Sequence, residues 1–318
     1  MSNQVHVIIG TGSLGKAVMR ELKRRGVERI RMVNRSGRLS EAEEVEVAKG
    51  DASQLVDAVA LCKDADVVYH CAHPGYTNWP SQFPGLTQGI MAGAAAAGAK
   101  LIYGDNLYMY GQANQPLTEN LPDLATGKKG LTRAQMAEEL LLAHQSGKVR
   151  VAIGRASDFY GPGVKQSSLG ERVFGFALSG KPVSLLGNLD MPHTYTYIDD
   201  FASGLVTLAQ EDRALGEVWH IPSAKTHTTR ELLELIFDEL GSTSKISTLS
   251  RPMVTMIGLF HPMLRELKEV LYEFEHPFIL DHSKFEAAFG PQTTTPHVEA
   301  IKHTVQWYKE MMQEERAR

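Results

Sequence analysis

The chain has 318 residues, 43% of them hydrophobic, which is enough for one large core with a smaller appended lobe. Its formal net charge is −4 and no basic patch is evident, so we expect no nucleic-acid partner. Cys62 and Cys71 lack the spacing of a metal site or a redox motif, which predicts two reduced thiols. No signal peptide or membrane-length apolar run is evident, so we expect a cytoplasmic protein that does not bind membranes.

The first predicted strand runs into a glycine-rich turn. Residues 5–15 read VHVIIGTGSLG, with glycines spaced as G-x-G-x-x-G before a predicted helix that starts near Lys16. Gly10 permits a tight turn, Gly12 lets a pyrophosphate approach the backbone, and Gly15 lets helix and strand pack closely. In this βαβ context we favour a dinucleotide site over a glycine turn without a ligand. The predicted cofactor-binding residues of the turn are Gly10, Thr11, Gly12, Ser13, Leu14 and Gly15.

The end of the second predicted strand, Arg29 to Val33, bears on the type of dinucleotide. Folds that bind NAD usually place an acid here for the ribose 2′-hydroxyl, whereas an arginine suits a 2′-phosphate. No acid occurs between Arg29 and Ser40, and Asn34, Arg35 and Ser36 follow the strand. We therefore predict that NADP(H) is preferred over NAD(H). The alternative is that these are ordinary solvated loop residues.

Strand and helix patterns alternate up to about residue 155. The predicted strands that follow are Glu44 to Val47, Asp66 to Cys71, Leu101 to Tyr103 and Val149 to Gly154. The predicted helices between them are Ser53 to Cys62, Phe83 to Gly98 and Thr132 to Gln145, the last with a capping box of Thr132 and Gln135. This alternation predicts an α/β fold with a Rossmann-type, doubly wound parallel sheet. The small residues near Gly98 indicate close packing, against the sheet or against a second subunit in a homodimer.

Beyond Arg155 the pattern loosens into short strands and helices with frequent glycine and proline. We predict a dinucleotide-binding domain over 1–155, to which segments at about 183–220 partly return. A smaller α/β lobe over 156–318 is predicted mainly to bind the substrate. Residues Arg251 to Phe274 form an apolar, amphipathic stretch, which favours a lid or core helix over a membrane-surface helix.

Several motifs in order along the chain point to one family. They are Gly10–Gly15, Gly50–Asp51, Asp66–His70, Tyr110–Gly111, Arg155–Gly163 and Tyr197–Asp200. The series resembles the extended short-chain dehydrogenase/reductases, the NAD-dependent epimerase/dehydratase family of sugar-nucleotide epimerases and their relatives. The resemblance implies that Asp51 and Ala52 lie beside the adenine and Ala72 lies along the ribose. It also implies a substrate between the sheet and the C-terminal lobe.

The chain departs from the chemistry that this resemblance implies. Family members use a tyrosine and a lysine four residues apart on one helix face, with a serine or threonine after the fifth strand. None of the ten tyrosines here has a lysine four positions on. Placing the predicted helix on the family's puts Leu131 and Gln135 at the pair and Asn106 at the hydroxyl position. The chain thus resembles the atypical members that lack the pair.

Other residues are candidates for the missing chemistry. Asn106 is predicted to hold a substrate carbonyl, and Tyr108 is the first candidate for the proton donor, with packing in the pocket wall as the alternative. His73 could supply a proton near neutral pH, and Tyr76 and Trp79 are candidate substrate contacts.

Four further titratable residues are expected to be structural. We expect His70 to be a core histidine and His193 a surface-loop residue, with a place in the pocket as the alternative for His193. Asp199 and Asp200 are expected to open a helix as a cap rather than to bind metal, and no metal site is predicted.

Two functions remain open at this stage. The first is an NADP(H)-dependent oxidoreductase of a small carbonyl or enone substrate, with epimerase or dehydratase chemistry as the enzymatic alternative. The second is a catalytically silent dinucleotide-binding protein that acts as a redox sensor or scaffold. The absent pair favours the second, while the aromatic, histidine-containing segment and the second lobe favour the first.

Overall fold

The structure is a computed structural model that describes residues 3–39 and 45–317. The strands in chain order are β1 (Val5–Ile9), β2 (Arg29–Asn34), β3 (Glu46–Lys49), β4 (Val67–His70), β5 (Lys100–Asp105), β6 (Arg150–Arg155), β7 (Phe159–Tyr160), β8 (Val183–Leu186), β9 (Pro192–His193), β10 (Thr196–Tyr197), β11 (Val218–His220), β12 (His227–Thr228) and β13 (Ile246–Leu249). The helices are α1 (Ser13–Arg24), α2 (Leu55–Leu61), α3 (Trp79–Ala97), α4 (Lys128–Gln145), α5 (Phe174–Leu178), α6 (Ile198–Gln210), α7 (Thr229–Leu240), α8 (Arg251–Gly258), α9 (Pro262–Leu267), α10 (Ser283–Phe289) and α11 (His297–Ala317). The predicted start of the third strand, Glu44, lies outside the described residues.

The chain forms two compact units. The first contains Met1–Met109, Lys128–Arg155 and Phe201–Ile221, and the second contains Tyr110–Gly127, Ala156–Asp200 and Pro222–Arg318. The segment that returns to the first unit therefore starts at Phe201, later than the predicted residue 183. The reason is that β11 adds to the open edge of the first unit's sheet beside β6, whereas β8 pairs with β13.

A seven-stranded sheet organises the first unit. Its order is β11-β6-β5-β4-β1-β2-β3, and every pair in it is parallel. The inner strands are buried on both faces, with β1 and β4 reading as unbroken apolar or aromatic runs apart from His6 and His70. This confirms the predicted Rossmann-type parallel sheet. In such a sheet the loops that follow the strands meet at one edge, where ligands bind.

Two helices begin earlier than the sequence pattern predicts. Helix α3 starts at Trp79, with Pro80 in its first turn, where a missing N–H costs little. Helix α4 starts at Lys128, so Thr132 lies inside it and its Oγ1 donates to the Lys128 carbonyl at 2.7 Å. The predicted capping box at Thr132 is therefore wrong. The earlier start brings Lys129 into the helix.

The small residues of α3 serve packing on α2 and the loop before it. A Cβ atom on Gly89 would lie 2.1 Å from the Ala52 carbonyl oxygen, and one on Gly93 would lie 2.5 Å from the Ala58 carbonyl oxygen. Such distances exclude any side chain, so close approach within the first unit accounts for both glycines.

The second unit has its own core, which includes Tyr160, Phe174, Leu233, Ile301 and Tyr308. The predicted single helix over Arg251 to Phe274 is broken into α8, α9 and a 3₁₀ segment, with Pro262 opening α9. Across residues 3–39 and 45–317, no helix is both long and apolar enough to cross a membrane.

Candidate functional site

The glycine-rich turn joins β1 to α1, and its three glycines meet different constraints. Gly10 has φ +106°, and a Cβ there would lie 2.7 Å from the Ala72 Cα atom. A Cβ on Gly15 would lie 1.9 Å from the Gly10 carbonyl oxygen. Around Gly12, in contrast, a Cβ would meet no atom of residues 3–39 and 45–317 within 4 Å. The fold of the turn therefore requires Gly10 and Gly15, while Gly12 leaves open space at the start of α1.

The start of α1 has free capacity to bind an anion. Its N-cap residue is Gly12, which has no side chain with which to cap the helix, and its first turn contains no acid. The first N–H groups of a helix have no partner within the helix, and together with the helix dipole they favour a negatively charged group. Open space beside Gly12 and uncapped N–H groups fit a dinucleotide pyrophosphate.

Asn34 organises the loop after β2. Its Oδ1 accepts from the Gly37 N–H at 2.6 Å and from the Ser36 hydroxyl at 2.8 Å. Its Nδ2 donates to Thr11 Oγ1 at 3.2 Å and to the Arg38 carbonyl at 3.0 Å. These bonds tie the loop to the glycine-rich turn. Arg35 lies exposed in this loop.

Asp51 and Ala52 follow β3 at the same sheet edge. Asp51 Oδ1 accepts from the Ser53 hydroxyl at 2.7 Å and from the Ser53 N–H at 3.0 Å. These bonds hold the pKa of Asp51 below its usual value, and the charge of Arg35 lowers it further. The structure thus brings the predicted residues Thr11, Asn34, Arg35 and Asp51 into one neighbourhood, with Ala72 against Gly10.

An aromatic cluster lies beyond β4 and β5 in the first unit. Trp79 is its centre, with ring centroids 5.1 Å from Tyr76, 5.4 Å from Phe83 and 5.9 Å from Tyr108. His73 lies at its margin, 6.5 Å from Trp79. The cluster brings together all the aromatic candidates that the sequence placed after these two strands.

Asn106 and Tyr108 start the loop after β5. Asn106 is half-buried, and its Oδ1 accepts from the Tyr108 N–H at 3.3 Å, which leaves its Nδ2 available to donate. Tyr108 is half-buried too and packs against the hydrophobic core of the first unit.

His73 has a pKa below its ordinary value. Protein atoms around the ring lower the pKa by desolvation even though part of the side chain is exposed, and the hydrogen bond from Nδ1 to the Pro74 carbonyl, 2.9 Å long, partly offsets this. Because the lowered pKa keeps the imidazole neutral at neutral pH, His73 is less suited to donate a proton there than the sequence indicated.

His70 is a core histidine, as predicted. It is fully buried in β4, and its ring nitrogen Nε2 lies 2.9 Å from Thr87 Oγ1. Burial, with the nearby charge of Arg133 as a smaller cause, lowers the pKa of His70 to about 3.

We expect this shift to make the protein acid-sensitive. The pKa of His70 is lower in the folded chain than in the unfolded one. The contribution of neutral His70 to the free energy of unfolding is therefore fully present above about pH 6.5 and is lost as the pH falls toward 3. Each pKa unit corresponds to about 1.4 kcal/mol, so lowering the pH to 5 costs about 2 kcal/mol from this residue. Urea unfolding of wild type and His70→Phe between pH 5 and 7 measures it. An equal pH dependence in the two proteins would contradict the prediction.

Leu131 and Gln135 do not lie where the sequence register put them. Both are on the exposed face of α4, with Leu131 53% exposed. The inward face carries a different pair at the same spacing, because Lys129 is fully buried and Arg133 is 6% exposed. This pair is not among the residues predicted from the sequence. Its signal is the segment Lys129-Gly-Leu-Thr-Arg133, but the sequence pattern predicts that the helix begins only at Thr132.

Arg133 is fixed by several groups at once. Its Nη1 donates to the Tyr103 hydroxyl and, at 3.1 Å, to Asp105 Oδ1. Its guanidinium carbon lies 4.4 Å from the Trp79 ring centroid and 4.5 Å from that of Phe83. Asp105 Oδ2 also accepts from Arg155 Nε at 3.2 Å. The cation is therefore held at the carboxyl end of β5, beside the aromatic cluster.

His193 belongs to the second unit, and the expectation that it lies in a surface loop is wrong. It is 1% exposed, its ring is stacked on Phe274 at 5.2 Å, and its Nδ1 donates to the Glu273 carbonyl at 3.0 Å. Its Nε2 lies 3.3 Å from Asp158 Oδ2. Contacts with residues far along the chain bury it, which local sequence does not reveal.

Asp199 and Asp200 were predicted to lie at the start of a helix, and they do lie at the start of α6. Both Asp199 and Asp200 lie in its first turn. Asp200 accepts from the Thr295 N–H at 2.9 Å and from its hydroxyl at 2.8 Å. Within the described ranges, no group of three or more histidine, cysteine or acidic residues is arranged to hold a metal ion.

Comparison with known proteins places the chain in a family. The model of the NAD dependent epimerase/dehydratase family matches residues 7–221. The chain belongs to this family. The match covers the glycine-rich turn, the aromatic cluster and both faces of α4, so the family fold carries the site described above.

Individual relatives are distant. An uncharacterized UDP-glucose epimerase, YtcB of Bacillus subtilis strain 168, is 23% identical over 195 residues, which cover 58% of this chain and 62% of YtcB. The chain thus matches less than two thirds of that relative. Among solved structures, the UDP-N-acetylglucosamine 4-epimerase of Methanobrevibacter ruminantium M1 is 19% identical with a TM-score of 0.81, over 98% of this chain and 100% of the other. The dTDP-glucose 4,6-dehydratase DesIV of Streptomyces venezuelae, with NAD bound, is 18% identical with a TM-score of 0.80, over 96% and 97%.

Proposed function

We propose that the protein is an NADP(H)-dependent oxidoreductase of the epimerase/dehydratase type that acts on a small carbonyl or enone substrate. The observation that carries the proposal is the open space beside Gly12 at the uncapped start of α1. A nicotinamide dinucleotide bound there supplies a hydride donor or acceptor. The protein's part is to bind the dinucleotide, orient the substrate carbonyl and move a proton.

The cofactor would be held by residues that already form one neighbourhood. Gly12, Ser13 and Leu14 would offer backbone N–H groups to the pyrophosphate, with Gly10, Thr11 and Gly15 shaping the turn. Asp51, Ala52 and Ala72 would line the adenosine. Asn34 would hold the loop in shape, leaving Arg35 and Ser36 to contact a 2′-phosphate.

We expect NADPH to bind at least about tenfold tighter than NADH. The exposed guanidinium of Arg35 can pair with a 2′-phosphate, and this ratio requires only about 1.4 kcal/mol. Fluorescence titration of wild type and Arg35→Ala with both cofactors measures it, and the variant should bring the ratio near one. Arg38→Ala, which removes a nearby exposed arginine, is the control. Equal affinities of the wild type for the two cofactors would refute the preference.

The substrate would lie against Asn106, Tyr108 and His73. The Asn106 amide, with Nδ2 available, is suited to hold a carbonyl oxygen. The rings of Tyr108 and His73 both lie near the Trp79 ring, at 5.9 and 6.5 Å between centroids, and would shape the pocket or supply a proton. The relatives named above act on nucleotide-linked sugars, so UDP-glucose and dTDP-glucose belong in the substrate screen beside small carbonyl and enone compounds.

A second candidate function is a catalytically silent NADP(H) sensor or scaffold, favoured by the absence of a tyrosine with a lysine four residues on. The experiment that separates the two is cofactor titration followed by the substrate screen, monitored by nicotinamide absorbance. Turnover of any compound supports the enzyme. Binding without turnover, together with a partner complex that changes with cofactor oxidation state, supports the sensor. Light scattering in the same preparations tests whether the protein is a homodimer.

A further inference from the structure

The first unit contains a fully buried lysine to which the proposed function assigns no role. Lys129 is 0% exposed, and its Nζ lies 4.5 Å from the centroid of the Tyr76 ring. Lysine is almost never fully buried unless it is paired, because removing an ammonium group from water is costly. Where a buried lysine is kept, its chemistry as an acid or base is a common reason.

Lys129 lies near the edge of the sheet at which ligands bind in folds of this kind. Lys129 is the second residue of α4, a helix that crosses from β5 to β6. Because such a helix runs antiparallel to its strands, its first turn lies at their carboxyl ends. Asn106 and Tyr108 directly follow one of these strands, β5.

The aromatic cluster connects Lys129 to these residues. Tyr76, over which Nζ lies, contacts Trp79 at 5.1 Å, and Trp79 contacts Tyr108 at 5.9 Å. One turn along α4, Arg133 packs on the same cluster, with its guanidinium carbon 4.4 Å from the Trp79 ring centroid. Among the described residues its buried Nε has no hydrogen-bond partner, so this face of α4 retains an unused donor.

We propose that Lys129, rather than Tyr108 or His73, exchanges the proton with the substrate oxygen; the proposal rests on the proposed function. In reduction, a hydride adds to the carbonyl carbon and the C=O π electrons move to oxygen. That oxygen takes a proton from the Lys129 ammonium, giving an alcohol and a neutral amine, which regains a proton from solvent. In oxidation the amine takes the hydroxyl proton as the hydride leaves carbon.

The two alternatives fit this task less well. The lowered pKa of His73 leaves its imidazole neutral near pH 7. Tyr108 packs its ring on Trp79 and the core, and a phenol ordinarily titrates near pKa 10 and is a weaker acid than an imidazolium. Lys129 differs from both in that its side chain is cationic when protonated, and this positive charge would stabilise the oxyanion as the hydride arrives.

The first test compares variants in reduction of an aromatic 1,2-diketone, a cyclic enone or any compound the screen identifies. Lys129→Met keeps the length of the side chain and should lower turnover about 100-fold, with little change in NADPH affinity. Lys129→Arg keeps the charge but holds its proton too tightly, so it should be slow as well. Lys128→Met, which changes the exposed neighbouring lysine, should stay close to the wild-type rate.

The pH profile separates proton transfer from packing. The wild-type reduction rate should fall tenfold per pH unit at pH values above the pKa of the group that donates the proton. Lys129→Met should lose this dependence on pH. Thermal unfolding checks that each variant is folded. If Lys129→Met is unfolded, the rate and pH profile of Lys129→Arg test the proposal in its place, and values equal to those of the wild type overturn it.

The second test needs no substrate. Oxidised NADP⁺ carries a positive nicotinamide ring whereas NADPH does not, and a cation beside an ammonium favours loss of its proton. Calorimetric titrations in buffers of different ionisation enthalpy, repeated across a range of pH, should therefore show more proton release for NADP⁺ than for NADPH. Lys128→Met should keep this difference, and Lys129→Met should abolish it.

The outcomes separate this proposal from the function on which it rests. If the wild type binds neither cofactor, the proposed function fails. If it binds and turns over a compound while Lys129→Met keeps the rate and pH profile, only Lys129 is excluded, and a 100-fold loss in Tyr108→Phe would then give the role to Tyr108. In the absence of turnover, an equal proton release in Lys129→Met and wild type overturns the proposal.

Discussion

Replacing Gly12 by valine is expected to weaken nucleotide binding on the order of 1,000-fold, or about 4 kcal/mol, while the protein stays folded. Within the described chain, a Cβ at Gly12 would meet no atom within 4 Å, and its φ of −72° is open to any residue. The space that valine would fill is the space proposed for the pyrophosphate. Fluorescence titration with NADPH gives the affinity, and urea unfolding gives the stability.

Two other glycines make this result interpretable. Gly85 in α3 is exposed, and a Cβ there would also meet no atom of the described chain within 4 Å, so Gly85→Val should bind cofactor normally. Gly15→Val should unfold, because its Cβ would lie 1.9 Å from the Gly10 carbonyl oxygen. Normal NADPH binding by folded Gly12→Val would remove the dinucleotide from this turn and, with it, the basis of the proposed function.

Replacing Asp105 by asparagine is expected to destabilise the protein by about 3–5 kcal/mol. The Asp105 side chain is 0% exposed and accepts from Arg133 at 3.1 Å and from Arg155 at 3.2 Å. Asparagine has nearly the same shape but no charge, so two buried guanidinium groups would lose the carboxylate that lies between them. Urea unfolding at neutral pH measures the loss.

An exposed aspartate in the same unit provides the matched control. Asp212 lies 2.7 Å from Lys100 Nζ but is 81% exposed, so Asp212→Asn should change the stability little, because solvent screens such pairs. If Asp105→Asn were as stable as Asp212→Asn, the Asp105 carboxylate would not be what holds the two arginines at the end of β5.

The Asp105 variant also bears on the proposed chemistry. Asp105 fixes Arg133, and Arg133 lies one turn from Lys129 on the same face of α4. The family resemblance implies a tyrosine and a lysine four residues apart on one helix face. The buried face of α4 in this chain carries Lys129 and Arg133 at that spacing. The α4 face of this chain therefore carries cations, which suits the stabilisation of an oxyanion.

The features that rest on local rules could be predicted from the residues alone. Glycines at 10, 12 and 15 after an apolar β-branched run identify the turn, because the turn excludes other residues at two of these positions. Alternating strand and helix patterns predicted the parallel sheet, since strands buried on both faces must be apolar along their whole length. The core position of His70 followed from the same rule.

Which polar side chains are buried depends on contacts between distant parts of the chain. The start of α4 has no strong local signal, and the buried Lys129 packs against the ring of Tyr76, some fifty residues earlier in the chain. His193 was expected at the surface but is enclosed by Phe274 and Phe278, some eighty residues later. Hydrophobic patterning in the sequence indicates which apolar residues lie inward. It does not indicate which charged residues are buried by contacts between distant segments of the chain. The candidate catalytic residue Lys129 is a residue of this second kind.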